Sequence, residues 1–116
     1  MAEEIKKIIE ENSLAFATVD KDNKPHVIAV AYVKVKEGKL IVTNNYMDST
    51  IDNIKNNSSV GLAVWNKDWE GYRIDGEASY FEEGEYYDFV KSMKENKDEP
   101  GKGAIVVDIK EIKKLG

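Results

Sequence analysis

The residues LIVTNNYMDSTIDNI, numbers 40–54, carry the chain from a buried strand directly into a helix. The apolar run Leu40–Val42 is typical of a strand, and the polar turn formers that follow give way to a helical pattern from about Ser49 to Asn57. A helix start offers unpaired backbone N–H groups and the positive end of the helix dipole. With the hydroxyl groups of Ser49 and Thr50 beside them, this junction is a candidate site for a phosphate monoester.

The same junction also has a purely structural interpretation. Asp48 or Ser49 can cap the helix, and Asp52 can support that cap. Both aspartates are anionic, which opposes a bound phosphate, whereas Lys55 lies about one turn further and offsets one of them. The local sequence alone favours the cap.

Outward from this junction, short strand patterns separated by turn clusters fill most of the chain. The predicted strands are Leu14–Val19, His26–Lys36, Lys39–Thr43, Val60–Trp65, Gly71–Phe81 and Ala104–Ile109, and the predicted helices are Ile5–Ser13, Ser49–Asn57 and Glu85–Glu95. Most strands follow one another in hairpin order, without the strand–helix alternation of a parallel sheet. The sequence therefore predicts one α+β domain built on an antiparallel barrel.

Composition excludes several classes of function. The 116 residues include no cysteine and one histidine, and 22 acidic against 17 basic side chains give a net charge of −5. Disulfides, thiolate metal sites and cysteine nucleophiles are excluded, and binding to nucleic acid or to an anionic membrane is not expected. No apolar run approaches the ~18 residues of a membrane span, and the charged N-terminus does not resemble a signal peptide, so we expect a cytoplasmic protein.

Three further features are candidates for chemistry. His26 has no acid or nucleophile at a fixed spacing, which favours a surface role and predicts neither a catalytic residue nor a metal ligand. Arg73 is the only arginine and can clamp an anion, although a salt bridge is the expected use. Trp65 and Trp69 bracket a loop, and they can stack on a flat ring or lie in an oligomer interface.

The order of these segments resembles a known family. The segments that carry the resemblance are Leu14–Val19, Lys24–Ile28, Tyr32–Val35, Leu40–Ile54, Asn57–Leu62 and Tyr72–Ala78. Together they resemble the pyridoxamine 5′-phosphate oxidase-like, FMN-binding split-barrel family, and most closely its small single-domain bacterial members. The likeness extends from about Leu14 to Ile109 and lies in the ordered set rather than in one motif.

The resemblance implies a six-stranded antiparallel Greek-key split β-barrel with two or three short helices. It also implies a homodimer with two FMN molecules in clefts between the subunits. The residues that it assigns to the cofactor are Val27, Ile28, Ala29 and Val30 along the flavin ring and ribityl chain, Tyr32 beside the ring, Thr43, Asn44 and Asn45 at the ring edge, and Ser49 and Thr50 at the phosphate. The family's phosphate helix often carries Lys or Arg just before the threonine, where this chain has Ser49.

The implied function is that of an FMN-binding flavoprotein, a small oxidoreductase or electron carrier in which the flavin performs the redox chemistry. The biosynthetic oxidase itself is not expected, because such enzymes have further basic residues near the C-terminus and this chain has no arginine after Arg73. The alternatives are a non-enzymatic flavin-binding module, a deazaflavin-binding relative, and a dimeric barrel whose cleft has lost its cofactor. The aromatic residues between Trp65 and Phe81 also favour a dimer, because a monomer rarely exposes a large aromatic patch.

Overall fold

The computed structural model describes residues 1–115, which form three α-helices, a 3-10 turn and seven strands. Along the chain the elements are α1 (Glu3–Glu11), β1 (Leu14–Val19), β2 (Pro25–Val30), β3 (Lys34–Lys36), β4 (Lys39–Asn44), α2 (Ser49–Asn56), β5 (Ser59–Trp65), β6 (Gly71–Phe81), α3 (Glu85–Ser92), the 3-10 turn (Lys94–Asn96) and β7 (Gly103–Lys114). The α+β class built on antiparallel strands is confirmed. None of the helices in this range is long and apolar enough to cross a membrane.

All seven strands belong to one antiparallel sheet, in the order β2-β1-β5-β6-β7-β4-β3. The chain passes from β2 at one edge to β3 at the other edge through only three residues, Ala31–Val33. Three residues span at most about 10 Å of extended chain, so the two edges must lie close together and the sheet must curl. The result is a barrel that is split between β2 and β3.

The single strand predicted at His26–Lys36 is wrong at its centre. Tyr32 has a positive φ of 58°, a left-handed conformation that interrupts a strand, so the segment divides into β2 and β3. The barrel consequently has seven strands instead of the six expected. Val33 is fully buried beside this break, which indicates that packing fixes the turn.

Two other predicted boundaries also move. The last strand does not end at Ile109, because β7 continues to Lys114 by pairing with β6 across a β-bulge at Asp75/Gly76. The last helix ends at Ser92 instead of Glu95, and a short 3-10 turn follows it. Both changes reflect long-range pairing and packing that a local pattern does not contain.

Apolar side chains fill the inside of the barrel. The largest of those that are fully or almost fully buried there are Leu14, Phe16, Leu40, Val42, Leu62, Val64, Ile74, Ile105 and Val107. The helices α1 and α2 add Ile9, Ile51 and Ile54 to this core. Because the two isoleucines anchor α2, its first turn is held in a fixed position against the barrel.

A second, smaller core lies on the outer side of the sheet, where α3 covers β4 and β7. Its buried members are Ile41, Val90, Ala104 and Val106, and Tyr86 and Phe89 pack against them. This helix therefore shields the outer face of one half of the sheet from water.

The outer face of β1, β2 and β5 has no such cover within residues 1–115. Its side chains are Ala15, Ala17 and Val19 of β1, Pro25, Val27 and Ala29 of β2, and Gly61, Ala63 and Trp65 of β5. None of these nine residues is buried, and none carries a charge. We call this surface the outer apolar face.

Candidate functional site

An open cavity of about 520 Å³ lies beside β2, a volume in the range of small-molecule and cofactor sites. Its walls come from β2, the end of β4, the loop that follows β4, the first turn of α2 and the segment after α3. Among the described strands β2 pairs only with β1, so the backbone groups along its other edge are available to a ligand. We call the part next to His26, Ser49 and Thr50 the helix end, and the part next to Ala31 and Tyr32 the Tyr32 end.

Eight of the ten residues that the sequence assigns to a cofactor line this cavity. They are Ile28, Ala29, Val30, Tyr32, Thr43, Asn45, Ser49 and Thr50. They come from β2 and the linker after it, from the end of β4 and the loop after it, and from the first turn of α2, which the barrel brings to one place. What each of them contacts in a ligand stays a prediction.

The other two predicted residues lie elsewhere. Val27 belongs to the outer apolar face and is 61% exposed. Asn44 is buried, where its amide donates to the Tyr80 hydroxyl at 2.8 Å and its Oδ1 accepts from the backbone N–H of Met47 at 2.9 Å. Asn44 therefore holds the loop before α2 in place through these two hydrogen bonds and does not line the cavity.

The start of α2 has no side-chain cap. Asp48 occupies the N-cap position with φ −120° and ψ −67°, and its side chain makes no capping hydrogen bond. The cap that the local sequence favours is therefore wrong for this helix. Ser49 and Thr50 line the cavity at the same point, so the uncapped N–H groups of the first turn lie at its helix end.

His26 is the second unusual feature of the helix end. Its Nδ1 is buried and has no hydrogen-bond partner, and it is the only side-chain nitrogen or oxygen in residues 1–115 found in that condition. The ring lines this cavity and also a neighbouring one of about 590 Å³, and Ser49 is the other residue common to both. The surface role expected from the sequence is wrong, because His26 is half-buried in the wall between two cavities.

The segment after α3 supplies residues that the sequence did not indicate. The Asn96 amide donates to the Thr43 hydroxyl at 2.9 Å and to the Val90 carbonyl at 3.1 Å. The Asn45 amide donates to Asn96 Oδ1 at 3.4 Å, while Asn45 Oδ1 accepts from the backbone N–H of Gly101 at 2.8 Å. These contacts hold the segment against the end of β4 and fix that wall of the cavity.

One hydrogen bond and one salt bridge join the same segment to the loop after β4 and to the sheet. The Tyr46 hydroxyl donates to Glu99 Oε2 at 2.6 Å, and this hydrogen bond raises the pKa of the phenol. Lys34 Nζ lies 2.9 Å from Glu95 Oε2, and the hydrogen bond from this ammonium lowers the pKa of Glu95. Glu95 is therefore ionised at neutral pH.

The charged residues of the cavity wall are all acidic. Asp48, Glu95 and Glu99 line it, whereas no lysine or arginine in the described part of the chain does so. An anionic group would therefore be held by N–H and hydroxyl donors rather than by a fixed cation.

The Tyr32 end presents an aromatic ring to solvent. Tyr32 is 57% exposed and keeps the left-handed backbone described above. Such a conformation is uncommon for a large side chain, and it lies where β2 has ended and β3 has not yet begun.

The aromatic residues between Trp65 and Phe81 do not form one patch. Tyr72 and Tyr80 pack against the barrel core, while Trp65, Trp69 and Phe81 are exposed. Trp65 ends β5 and Trp69 lies in the turn before β6, whereas Phe81 ends β6, a strand of 11 residues that spans about 36 Å at full extension. Arg73 pairs with Asp75 at 2.8 Å, which confirms the expected salt bridge and places it within the chain.

A split antiparallel barrel with a cofactor-sized cavity between an edge strand and an uncapped helix start defines a class of small ligand-binding barrels. The chain belongs within it to the pyridoxamine 5′-phosphate oxidase family, because the family model of that description matches residues 1–116.

Individual relatives agree with this assignment. The uncharacterised protein MJ0282 of Methanocaldococcus jannaschii is 33% identical over 120 residues, which cover 99% of this chain and 80% of that protein. HupZ of Group A Streptococcus has a TM-score of 0.91 at 24% identity, over 99% of this chain and 94% of that one. An FMN-binding protein of Syntrophomonas wolfei has a TM-score of 0.82 at 21% identity, over 98% and 85%. The two solved structures share the fold of this chain.

Proposed function

We propose that the protein is an FMN-binding flavoprotein that acts as a small oxidoreductase or electron carrier. The observation that carries this proposal is the convergence of β2, the end of β4 and the uncapped start of α2 on one cavity of about 520 Å³. Family membership and the likeness to an FMN-binding protein support it.

The donors at the helix end fit a phosphate group. The free N–H groups of the α2 start and the hydroxyls of Ser49 and Thr50 are hydrogen-bond donors for anionic oxygen. The buried Nδ1 of His26 lacks a partner in the same wall, and the ring tautomer that carries its hydrogen on Nδ1 would donate to that oxygen too. Buried polar atoms in proteins almost always have partners, so an orphan here favours a ligand.

The remaining walls fit a flat ring and a polar chain. The edge of β2 offers backbone N–H and C=O groups to ring heteroatoms, and Tyr32 offers an aromatic face at the far end. Thr43 and Asn45 add hydroxyl and amide groups on the opposite side. Bound FMN supplies the redox chemistry, while these residues bind it, orient it and exclude water from one side.

The acidic residues of the cavity wall limit how much the phosphate group adds to the affinity for FMN. Asp48 stands at the helix end and repels an anion, and Ser49 replaces the basic residue that many relatives of this family carry. We therefore expect FMN to bind about tenfold more tightly than riboflavin, the effect of a few hydrogen bonds to a charged group without a fixed cation.

A second copy of the chain is the partner that we propose. The outer apolar face is uncharged, flat and uncovered, and Ala29 belongs both to it and to the cavity wall. A homodimer through this face would bury apolar surface and close the open side of the cavity. FMN binding and dimerisation would then be linked, so that excess FMN stabilises the dimer against dilution.

The test is a comparison of FMN, riboflavin and the deazaflavin F420 by flavin fluorescence and calorimetric titration. Tightest binding of FMN is expected; equal affinity for FMN and riboflavin would contradict the phosphate assignment, and preference for F420 would identify a deazaflavin protein. Thr50→Val removes the hydroxyl at nearly constant volume and should weaken FMN by about 1 kcal/mol, most of the tenfold preference over riboflavin, without changing riboflavin. Thr50→Ser keeps the hydroxyl and is the matched control.

A redox assay separates an electron-transferring protein from a flavin-binding module. Flavin-free protein should not pass electrons from NAD(P)H to an external acceptor, and added FMN should restore whatever rate the holoprotein has. Reduction of bound FMN without any onward transfer would favour the module.

A further inference from the structure

Trp65 and Trp69 form an exposed stacked pair at the turn between β5 and β6. Their ring centroids lie 6.3 Å apart and the rings are parallel within 4°. Trp65 is 40% exposed and Trp69 is 78% exposed. Two large indole rings held in water are unfavourable unless something else covers them.

The turn that carries the pair is fixed by Asn66. Its Oδ1 accepts from the backbone N–H groups of Asp68 at 2.9 Å and Glu70 at 3.0 Å, and its amide donates to the Glu70 side chain at 3.2 Å. Trp69 itself has a positive φ of 62°. An ordered turn that holds a large exposed side chain in a left-handed conformation is typical of a site rather than of a loose loop.

The pair lies at the same end of the sheet as the Tyr32 end of the cavity. Val30, Leu14 and Val64 are directly opposite one another across β2, β1 and β5. Ala31 and Trp65 each follow that row by one residue, so they project on the outer side at the same level. Two strand spacings of roughly 5 Å each separate them within one chain.

A two-fold axis can bring these features together between two copies. If two outer apolar faces pack with an axis parallel to the strands through β1, the partner's β5 comes over this chain's β2 and the strand ends stay together. The partner's Trp65 then lies over Ala31. An axis perpendicular to the strands would reverse the ends and leave both the tryptophan pair and the Tyr32 end uncovered.

The size of the outer apolar face supports the first arrangement. Three strands of six or seven residues present roughly 15 Å by 20 Å, about 300 Å², whereas a stable interface buries about 800 Å² per partner. Trp65 belongs to this face, and the exposed rings of Trp69, stacked on it, and of Tyr32, beyond the end of β2, can extend it.

We propose that Trp65 and Trp69 of one copy form an aromatic wall over the Tyr32 end of its partner's cavity. This inference rests on the proposed function, and the ligand that the wall covers is the flat ring of the flavin. Each complete site then contains β2, β4 and α2 from one copy and the tryptophan pair from the other.

The first experiment measures FMN affinity, the fluorescence quenching of bound FMN, and sedimentation of the full chain. Trp69→Ala should weaken FMN about tenfold and weaken the quenching, because stacked indole rings both bind and quench a flavin. Trp65→Phe keeps an aromatic ring and should lose less. Phe81→Ala removes an exposed ring at the other end of β6 and should change neither property.

The outcomes separate the two proposals. If the wild-type protein does not bind FMN, the proposed function fails and this inference fails with it. If the wild-type protein binds FMN and Trp69→Ala binds it equally well with equal quenching, only this inference is overturned.

The second experiment shows whether the pair acts across the dimer. One chain carries Ser49→Glu, which places a carboxylate at the helix end, and the other carries Trp65→Ala with Trp69→Ala. Neither alone should bind FMN well. Mixing equal amounts, after denaturation and refolding together, should restore about one quarter of the sites, because half of the two-fold dimers are mixed and each has one complete site. No recovery on mixing would overturn the proposal.

Discussion

Both halves of the sheet have an apolar outer face, but in residues 1–115 a helix covers only one of these faces. The outer face of β4 and β7 carries Ile41, Ala104 and Val106, and α3 covers it with Val90. The outer face of β1, β2 and β5 is also apolar, but no described helix lies on it. Residues 1–115 form three α-helices, of which two add to the barrel core and one covers the β4–β7 side.

The apolar side chains under α3 are larger than those at the centre of the outer apolar face. Under α3 the larger side chains Ile41, Val106 and Val90 interlock, as a helix against a sheet requires. On the outer apolar face the central positions are Ala15, Ala17, Gly61 and Ala63, which give a flat surface. A flat surface suits another sheet, so the uncovered half suits a second copy rather than a helix of the same chain.

The largest effect is expected from a charge at the centre of the uncovered half. Ala17 lies opposite both Val27 and Gly61, on the strand through which the proposed two-fold axis runs. Ala17→Glu would place two carboxylates against each other across that axis, which costs several kcal/mol of association free energy. Sedimentation velocity should show monomers with unchanged far-ultraviolet circular dichroism.

Ser79→Glu is the control for this change, because Ser79 is an exposed position on β6 outside the outer apolar face. It should leave the association unchanged. A wild-type protein that is already monomeric at high concentration would contradict the comparison itself.

A matched pair of valines compares the covered half with the uncovered half directly. Val90→Ala removes two methyl groups from a fully buried side chain and should lower the free energy of unfolding by about 2 kcal/mol. Val27→Ala makes the same change at an exposed position and should cost less than about 0.5 kcal/mol in the monomer. Urea denaturation on the Ala17→Glu background, which removes dimerisation, measures both.

A large loss from Val27→Ala on that background would mean that the same chain covers the outer apolar face after all. In the wild-type background the same substitution reports on the dimer, so any extra loss that depends on protein concentration sharpens the comparison.

The sequence predicted the parts of the fold that depend on local patterns. Both ends of β1 and β6 were placed correctly, because alternating apolar residues and turn clusters mark them. The division at Tyr32 was missed, because only the meeting of the two sheet edges requires a left-handed residue there. The end of β7 was missed because its charged half, up to Lys114, is a strand only through its pairing with β6.

The same distinction holds for the candidate site: local patterns indicate some of its residues, and long-range contacts bring in the others. Eight assigned residues converge because they lie on β2, β4 and α2 or within two residues of the end of β2 or β4, and the local signals of these elements are clear. Glu95, Asn96 and Glu99 were missed because they reach the cavity from about 50 residues away in sequence, for example Asn96 to Thr43 with a separation of 53 residues. The orphan Nδ1 of His26 leaves no trace in the sequence, since it depends on what surrounds the ring.

The smallest expected effect concerns the ion pair that ties the segment after α3 to the sheet. Lys34 and Glu95 are 24% and 17% exposed, and their hydrogen bond lowers the pKa of Glu95. A lowered folded-state pKa stabilises the fold above the unfolded pKa of about 4.3, and this stabilisation is lost as the pH falls through the folded value. Glu95→Gln should therefore cost up to about 1 kcal/mol at pH 7 and nothing measurable near pH 2.5.

Glu77→Gln is the matched control, since Glu77 lies 3.7 Å from Lys110 and both side chains are more than half exposed. Urea denaturation at the two pH values measures the difference. If Glu95→Gln costs the same at both pH values, Glu95 acts through packing. Packing rather than charge would then hold the segment after α3 against the sheet.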